Sequence, residues 1–396
     1  AMNAELHGRD LDVVTGRFEI DSRSGAITSL ASDGTMPAAF AVDSSSLGGM
    51  YANRIRLVGT EAGVGMRLAA PIAALNGDLE ITSNGDVRLA RASAKGDLSA
   101  SAASKLVLGS PVTAGGTAVV KAADMVLEDQ ALLAATATTM DGGSIRILPG
   151  ANIAARGQLR LLADTLDHAG MMATATALQL DVSGKLTNNG SIEAESSLDL
   201  DAGTWTNRGT LVLRTGVLDI DVTGAIDNRD GSVRHAGSEF TLQAAALDNR
   251  NGEVASSGAG TITVSGPALL LNENGTLQGN ATLHINSHGL DNQNGKLLSD
   301  GLIRLQMNHA ALLNGQGLVE TSGGITVEQS SGIDNSRGHL IAGGDITLDL
   351  ATGILTNTEG LIDAATHLSI KHATGLANQS GTLRAGRDLT LHLPFF

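Results

Sequence analysis

The stretch GLIDAATHLSIKHATGLANQSGTLRAGRDLTLHL, residues 360–393, repeats one pattern twice. Each half begins with a glycine, places aliphatic residues at every second position, turns at small residues and then alternates again. In the second half, Leu389, Leu391 and Leu393 alternate with polar residues. A period of two indicates strands with one buried face, whereas an amphipathic helix has a period near 3.6 residues. This stretch therefore predicts short strands joined by corners.

The segment between the two halves, GLANQSG, contains a motif that recurs along the chain. The motif is an aliphatic residue, any residue, an Asn, and then usually two residues followed by Gly. Successive copies are almost evenly spaced, which gives the chain an internal period of roughly 21 residues. His168, in LDHAG, stands in the Asn place one unit before the first copy. The repeated asparagines are Asn188, Asn207, Asn228, Asn249, Asn272, Asn292, Asn314, Asn335, Asn357 and Asn378.

A repeat of this length and pattern predicts a solenoid of strands. Because a strand rises about 3.3 Å per residue, one unit has room for three short strands and three corners. Coils stacked about 4.8 Å apart can pair every backbone group with the coils on either side. We therefore predict an all-β fold, a right-handed parallel β-helix (β-solenoid) with coils of about 21 residues. The residues two before each Asn are expected to form one interior column: Leu186, Trp205, Ile226, Leu247, Leu270, Leu290, Leu312, Ile333, Leu355 and Leu376.

Composition and charge limit the functions that the chain can have. Of 396 residues, 50 are Gly, 42% are hydrophobic and only 2% are aromatic, which fits a repetitive aliphatic core better than a conventional globular one. The formal net charge of −15 argues against a nucleic-acid groove, which needs clustered Lys and Arg. The absence of Cys excludes disulfides and thiolate sites. No apolar run is long enough to predict insertion into a membrane.

The asparagine series is the strongest candidate for a site, and it has two interpretations. It could be a row of ligands or hydrogen-bonding groups for a sugar, or it could be structural. Asn tolerates the left-handed conformation of a sharp corner, and stacked amides can bond to one another along a solenoid. We favour the structural interpretation, because a feature present in every coil belongs to the architecture. The sequence predicts no catalytic, metal-binding or cofactor-binding residue, and hence no enzyme.

A few residues depart from the repeat. His235 occupies a position where neighbouring units have Ala or Ser, and Trp205 is the only Trp; we interpret both as local packing adjustments. Asp219, Asp221 and Asp349 fall on outward strand positions. We interpret them as part of a solvated acidic face, with acid pairs across neighbouring coils left open as the alternative.

Two segments near the N-terminus carry a resemblance to a known family. LDVVTG at residues 11–16 and SSLGGMYANRIRLVGTEAGVGM at residues 45–66 resemble the end of the secretion domain of two-partner-secreted exoproteins. The periodic units resemble the filamentous haemagglutinin repeats that follow it. That family includes adhesins, haemolysins and the carriers of contact-dependent growth-inhibition toxins. The resemblance implies a Gram-negative protein at the cell surface or outside the cell, and an outer-membrane two-partner transporter as its partner. It also implies a receptor, of open identity, on a host or neighbouring cell.

The resemblance divides the chain into three parts. Residues 1–70 are expected to be the end of the secretion-type domain with the first coils, 71–149 irregular coils rich in Ala and Ser, and 150–396 regular haemagglutinin-type repeats. Neither the front of the secretion domain nor a toxin module is in the sequence, so we expect an excised segment. Its last coil, followed by Phe395 and Phe396, should expose a sheet edge, which predicts end-to-end contacts between molecules.

Two classes of function follow from these patterns. The first is a structural rod of roughly 90 Å that projects a distal adhesin or toxin tip, with adhesion along its side. The alternative is a β-helical carbohydrate-binding or carbohydrate-active protein. A carbohydrate-active site would need acids in a groove built by long insertions, and units of such uniform length leave no room for them.

Overall fold

A computed structural model describes residues 2–30, 40–351 and 353–393 of the chain. Over these residues every regular element is a strand. The chain forms two compact units, Ala1–Leu186 with Gly190–Ala194, and Thr187–Asn189 with Glu195–Phe396. Phe395 and Phe396, named above for the end of the last coil, lie outside the described residues.

The first unit is built from short strands at its start and longer ones further on. Its strands are β1 (Leu6–His7), β2 (Asp10–Thr15), β3 (Phe18–Ile20), β4 (Ile27–Ser29), β5 (Phe40–Ser44), β6 (Met50–Ala52), β7 (Arg54–Gly59), β8 (Gly65–Ala74), β9 (Leu79–Ser83), β10 (Val87–Ala94), β11 (Leu98–Ala102), β12 (Lys105–Leu108), β13 (Val112–Ala114), β14 (Thr117–Leu127), β15 (Leu132–Ala135), β16 (Ala137–Ile147), β17 (Asn152–Ala155), β18 (Leu159–His168), β19 (Met171–Thr174), β20 (Ala177–Asn188) and β21 (Ser191–Ala194). The last residues of β20 belong to the second unit.

Parallel pairing between successive coils organises the first unit. Leu98 pairs with Leu79 on one side and with Ala118 on the other, so the coils on its two sides are nearly equal in length. Further along, β16 lies between β14 and β18, all three parallel. One hairpin departs from this pattern, because β3 and β4 pair antiparallel outside the stack.

The second unit is also built by parallel pairing, with a different coil. Its strands are β22 (Ser197–Asn207), β23 (Thr210–Leu213), β24 (Val217–Asp227), β25 (Ser232–His235), β26 (Glu239–Asp248), β27 (Glu253–Ser256), β28 (Ala259–Val264), β29 (Leu270–Leu271), β30 (Thr276–Gly279), β31 (Thr282–Asn286), β32 (Leu290–Asp291), β33 (Lys296–Ser299), β34 (Leu302–Gln306), β35 (Ala311–Leu313), β36 (Leu318–Thr321), β37 (Ile325–Glu328), β38 (Gly332–Asp334), β39 (His339–Ala342), β40 (Ile346–Asp349), β41 (Ile354–Thr356), β42 (Leu361–Ala364), β43 (Leu368–Lys371), β44 (Gly375–Ala377), β45 (Thr382–Ala385) and β46 (Leu389–Leu391).

The coils of the second unit change from two strands to three. β26 pairs with both β28 and β29, so one long strand becomes two short ones in the next coil. The earlier long strands bend without ending, through register irregularities between Ala202 and Trp205 and between Val222 and Ala225. A bulge bends a strand while its pairing continues on either side. In later coils a residue with positive φ, such as Gln329 (54°), Ala351 (51°) or His372 (56°), makes a sharper corner that ends the strand.

Aliphatic side chains on alternate positions form the core of each unit. The predicted interior column is buried, with each of its members from Leu186 to Leu355 at most 2% exposed. Leu376, in the last coil described, is only half-buried. Burying a Leu or Ile fully is worth about 1.5–3 kcal/mol, so a repeating aliphatic column can hold a fold that has almost no aromatic residues. The predicted all-β fold of parallel coils, with about 21 residues in each, is confirmed.

Candidate functional site: the asparagine ladder

The ten repeated asparagines lie in one column inside the second unit. In each of the first nine, Nδ2 donates a hydrogen bond to Oδ1 of the next asparagine along the chain, at 2.7 to 2.8 Å. We call this column the asparagine ladder. Its members are Asn188, Asn207, Asn228, Asn249, Asn272, Asn292, Asn314, Asn335, Asn357 and Asn378.

The ladder amides are buried and hydrogen-bonded at both ends. All members from Asn188 to Asn357 are 0% exposed. Asn249 illustrates the arrangement: besides the next amide, its Nδ2 faces the carbonyls of Gly252 at 3.3 Å and Thr276 at 3.1 Å. A buried amide without partners destabilises a fold, whereas a fully bonded network specifies one packing. Since the oxygens and nitrogens are engaged with each other, the ladder does not present a row of free ligands.

The ladder bonds all point the same way along the chain. At the C-terminal end, Asn378 accepts from Asn357 at 2.7 Å and donates to the carbonyl of Gly381 at 3.2 Å. Asn378 is half-buried, unlike the members before it. The column therefore ends with its amide NH₂ group directed away from the coils that precede it.

In the eight ladder corners from Asn228 to Asn378 the left-handed residue is not the ladder asparagine, contrary to the sequence interpretation. It lies two positions later, where φ is between 55° and 59°. The ladder side chain must point inward to stack, so the reversal of the chain falls on the outward residues that follow. These left-handed residues are Asp230, Asn251, Asn274, Asn294, Gln316, Arg337, Glu359 and Ser380.

A glycine follows the left-handed residue because the ladder leaves no room for a side chain. At Gly275 an added Cβ would lie 2.2 Å from the carbonyl oxygen of Asn249 and 2.6 Å from Oδ1 of Asn272. Both atoms are fixed by the ladder itself. The Gly of the motif is therefore a steric requirement of the close approach between coils.

Alternating charges reinforce the outside of the same corner in neighbouring coils. Arg208 and Arg229 contact Asp227 at 2.6 and 2.8 Å, and Arg229 and Arg250 contact Asp248 at 3.5 and 2.7 Å. The hydrogen bond from Arg229, with that from Arg208, holds the pKa of Asp227 well below its usual range. These partly exposed pairs connect neighbouring coils beside the ladder.

Two histidines face the interior, and both have lowered pKa values because of burial. His168, at the position equivalent to the ladder asparagines, is 0% exposed and its Nε2 lies 3.0 Å from the carbonyl of Ser191. His235 binds Oγ of Ser256 through Nδ1 at 2.9 Å and the carbonyl of Gly216 through Nε2 at 3.0 Å.

The His235 and Ser256 pair lies beneath an outer groove of about 460 Å³. The groove is also lined by Arg234 and Glu253, which form an ion pair at 2.8 Å. Ser256 is 2% exposed and its side chain points into the coil. So little exposure argues against Ser256 as a nucleophile, although a Ser and a His within hydrogen-bonding distance are the basic pair of nucleophilic catalysis. Trp205, the other departure from the repeat, is fully buried in the interior column.

The outward acids lie on neighbouring strands of the second unit. Asp199 pairs with Asp219 and Asp201 pairs with Asp221 across β22 and β24. Partial burial, and then the charges of neighbouring acids, raise the pKa of Asp219. In the described part of the chain, no three His, Asp or Glu residues converge as ligands for a metal ion. Asp349, the third predicted outward acid, contacts a histidine, His372, at 2.9 Å.

No helix suited to crossing a membrane occurs among the described residues.

Comparisons with known proteins match almost the whole chain to one kind of repeat. The family model described as Haemagglutinin repeat matches seven overlapping stretches: residues 14–91, 91–163, 154–230, 215–266, 255–306, 304–371 and 359–393. No solved structure matches the chain.

Several curated proteins are similar over part of the chain. The 16S rRNA endonuclease CdiA of Enterobacter cloacae is 33% identical over 219 residues, which are 53% of this chain and 6% of that protein. The Toxin CdiA of Yersinia pestis is 45% identical over 84 residues, 21% of this chain and 2% of that protein. The tRNA nuclease CdiA of Yersinia mollaretii is 32% identical over 176 residues, 44% of this chain and 6% of that protein. The matched part of this chain thus spans between 2% and 6% of the length of these relatives.

Proposed function

The chain belongs to the haemagglutinin repeat family, and from this premise we propose that it is a structural rod segment of a large secreted exoprotein. In this role it projects a distal adhesin or toxin tip from a Gram-negative cell, and its side contributes to adhesion. The asparagine ladder is the observation that carries the proposal. Its buried, mutually bonded amides serve to hold coil on coil.

The proposal includes partners and a location. The full-length exoprotein is exported by an outer-membrane two-partner transporter, as the family implies, and it acts at the cell surface or outside the cell. A receptor on a host or neighbouring cell is the partner of its distal end. Residues 1–70 remain our prediction for the end of a secretion-type domain, 71–149 for irregular coils and 150–396 for regular repeats.

Solution scattering on the purified chain tests the rod directly. A compact globule of this length has a radius of gyration of roughly 21 Å. Coils stacked at about 4.8 Å along the whole chain give a rod of roughly 90 Å, whose radius of gyration is at least about 26 Å. We expect the larger radius of gyration, that of the rod. A monomer with the smaller value would refute the rod.

End-to-end self-contacts belong to the same proposal. The last described coil leaves Leu389 45% exposed and Leu391 38% exposed, although both occupy alternate positions that are buried in earlier coils. Open parallel edges pair readily with other strands. Sedimentation should show association that grows with concentration and weakens when Leu391 is replaced by Lys. Equal association of both proteins would place the contact elsewhere.

The carbohydrate-active alternative is not favoured. In the groove at His235, Arg234 and Glu253 are paired with each other, and His235 and Ser256 are almost fully buried. A glycan array with the purified chain separates simple sugar binding from a purely structural role.

A further inference from the structure

His168 is a buried titratable residue at the place in the repeat motif that the later units fill with an uncharged asparagine. It ends β18, pairs with Ile147 of β16 and is 0% exposed. Its Nε2 lies 3.0 Å from the carbonyl oxygen of Ser191. Because a carbonyl only accepts, Nε2 carries the proton. This donor replaces the bond that a ladder Nδ2 makes to a backbone carbonyl of the following coil, as from Asn249 to Thr276.

The other ring nitrogen has no partner. Nδ1 of His168 is buried and makes no hydrogen bond within the described part of the chain. In the neutral ring this atom carries a lone pair, and protonation would convert it to a second N–H donor with no acceptor in reach. Burial disfavours the charged ring for the same reason, and it lowers the pKa of His168 more than the Ser191 carbonyl and Asp167 raise it.

The charged groups around His168 lie on the outward sides of the strands packed against it. Asp167 precedes it on β18 and lies opposite Arg146 of β16 in the parallel strand register. Lys185 on β20 and Glu193 on β21 alternate with buried neighbours and face outward. None of these four groups therefore supplies an acceptor for Nδ1 inside the coil.

We propose that His168 makes the first unit acid-sensitive: when the coil that contains β18 opens, the ring takes up a proton that the closed coil excludes. The sign follows from linkage. A histidine whose pKa is lower in the folded state removes stability as the pH falls below its unfolded value, which is about 6.5. The ladder of the second unit has no such group in its column, because amides do not titrate. Mild acid thus loosens the first unit at a defined coil.

Hydrogen exchange on the full chain tests this inference. Protection of peptides covering residues 159–194 is measured at pH 7.5 and pH 5.0, after correction for the intrinsic exchange rates. The opening equilibrium of the wild-type coil should rise up to about 30-fold between these conditions, since the open histidine is almost fully protonated at pH 5.0. Peptides covering residues 290–321 report the ladder and should change much less.

Three variants decide the outcome. His168→Asn, which restores the residue of the motif, and His168→Gln should each remove most of the pH effect in 159–194. His235→Ser removes another buried histidine and should leave that effect in place. If residues 159–194 of the His168→Asn and His168→Gln variants lose protection in acid as strongly as in the wild type, the inference is wrong. If one of the two His168 variants fails to fold, the other gives the same comparison.

Discussion

Nδ2 of Asn272 donates to Oδ1 of Asn292 at 2.7 Å, although the two residues are 20 positions apart in the sequence. Neither side chain is exposed to solvent. Each such bond connects one coil to the next inside the stack, where water cannot replace a missing partner. The ladder is therefore the part of the second unit in which a single side chain affects two neighbours at once.

Replacing Asn292 by Ala should lower the free energy of unfolding by about 2–6 kcal/mol. It leaves Nδ2 of Asn272 without its acceptor and Oδ1 of Asn314 without its donor, and each unpaired buried group costs about 1–3 kcal/mol. Asn378→Ala is the matched control at the half-buried end, with an expected loss of about 1 kcal/mol. Urea unfolding followed by the fluorescence of Trp205 measures both. Equal losses would show that the ladder bonds do not act through their neighbours.

Replacing Gly275 by Ala should destabilise the second unit by about 1–3 kcal/mol, as overpacking does elsewhere. The new Cβ would meet two oxygens of the ladder, 2.2 and 2.6 Å away. Gly332→Ala is the control, because there the nearest atom to an added Cβ is 3.4 Å away. Melting temperatures of the two variants should differ clearly, and a tolerated Gly275→Ala would contradict the steric account of the motif.

Exchanging Asn and Gln between two left-handed corner positions should change the stability of the chain in opposite directions. Gln316 has φ 58° and Asn294 has φ 55°, and both follow a ladder asparagine by two positions. Asn adopts this conformation more readily than Gln, so Gln316→Asn should stabilise the chain and Asn294→Gln should destabilise it, each by about 0.5–1 kcal/mol. Shifts of the urea midpoint in the same direction for both variants would argue against backbone conformation as the cause.

Neutralising Asp227 should lower the free energy of unfolding at pH 7, whereas neutralising Asp219 should raise it. Asp227 has a pKa lowered by its arginine partners, so its contribution is present above pH 4 and is lost as the pH falls below its unfolded value of 3.8. Asp227→Asn should thus cost about 1 kcal/mol at pH 7, a value reduced for partial exposure, and progressively less as the pH falls below 3.8.

Asp219 has a pKa raised by partial burial and by neighbouring acids, so its charge weakens the fold at pH 7. Asp219→Asn should therefore raise the urea midpoint at pH 7, and this gain should shrink as acid neutralises the same carboxylates in the wild type. A loss of stability in Asp219→Asn at pH 7 would mean that the acid makes a favourable contact.

The sequence predicted the features that repeat. The period of the motif, the strand alternation and the interior column, from Leu186 to Leu376, all reflect packing that is the same in every coil. The same residue types therefore recur at a fixed spacing in the sequence. The change from two-strand to three-strand coils after β26 does not appear as a periodic pattern in the sequence. It depends on whether a corner is made by a bulge or by a residue with positive φ, and Ala351 adopts that conformation although alanine does not favour it.

The candidate site was predictable in its position but not in its local detail. The spacing placed the ten asparagines in one column, yet the assignment of the left-handed conformation to them was wrong, because an inward side chain and a chain reversal cannot occupy the same residue. The burial of His168 could be inferred from its place in the motif. Arg229 and Arg250 each pair with an acid two residues earlier in the same unit. The contacts from Arg208 to Asp227 and from Arg229 to Asp248 reach an acid one coil away, which a single unit of sequence does not reveal.

The uniform direction of the ladder bonds makes the coils interchangeable. Each ladder coil offers an amide NH₂ group to its successor and an amide oxygen to its predecessor, so at the ladder one such coil can follow another without a new kind of contact. A gene that duplicates or loses one whole unit keeps every amide paired, whereas loss of part of a unit leaves two of them buried and unmatched. The length of such a protein can therefore change during evolution by whole coils, because the ladder keeps its amides paired only when complete units are gained or lost.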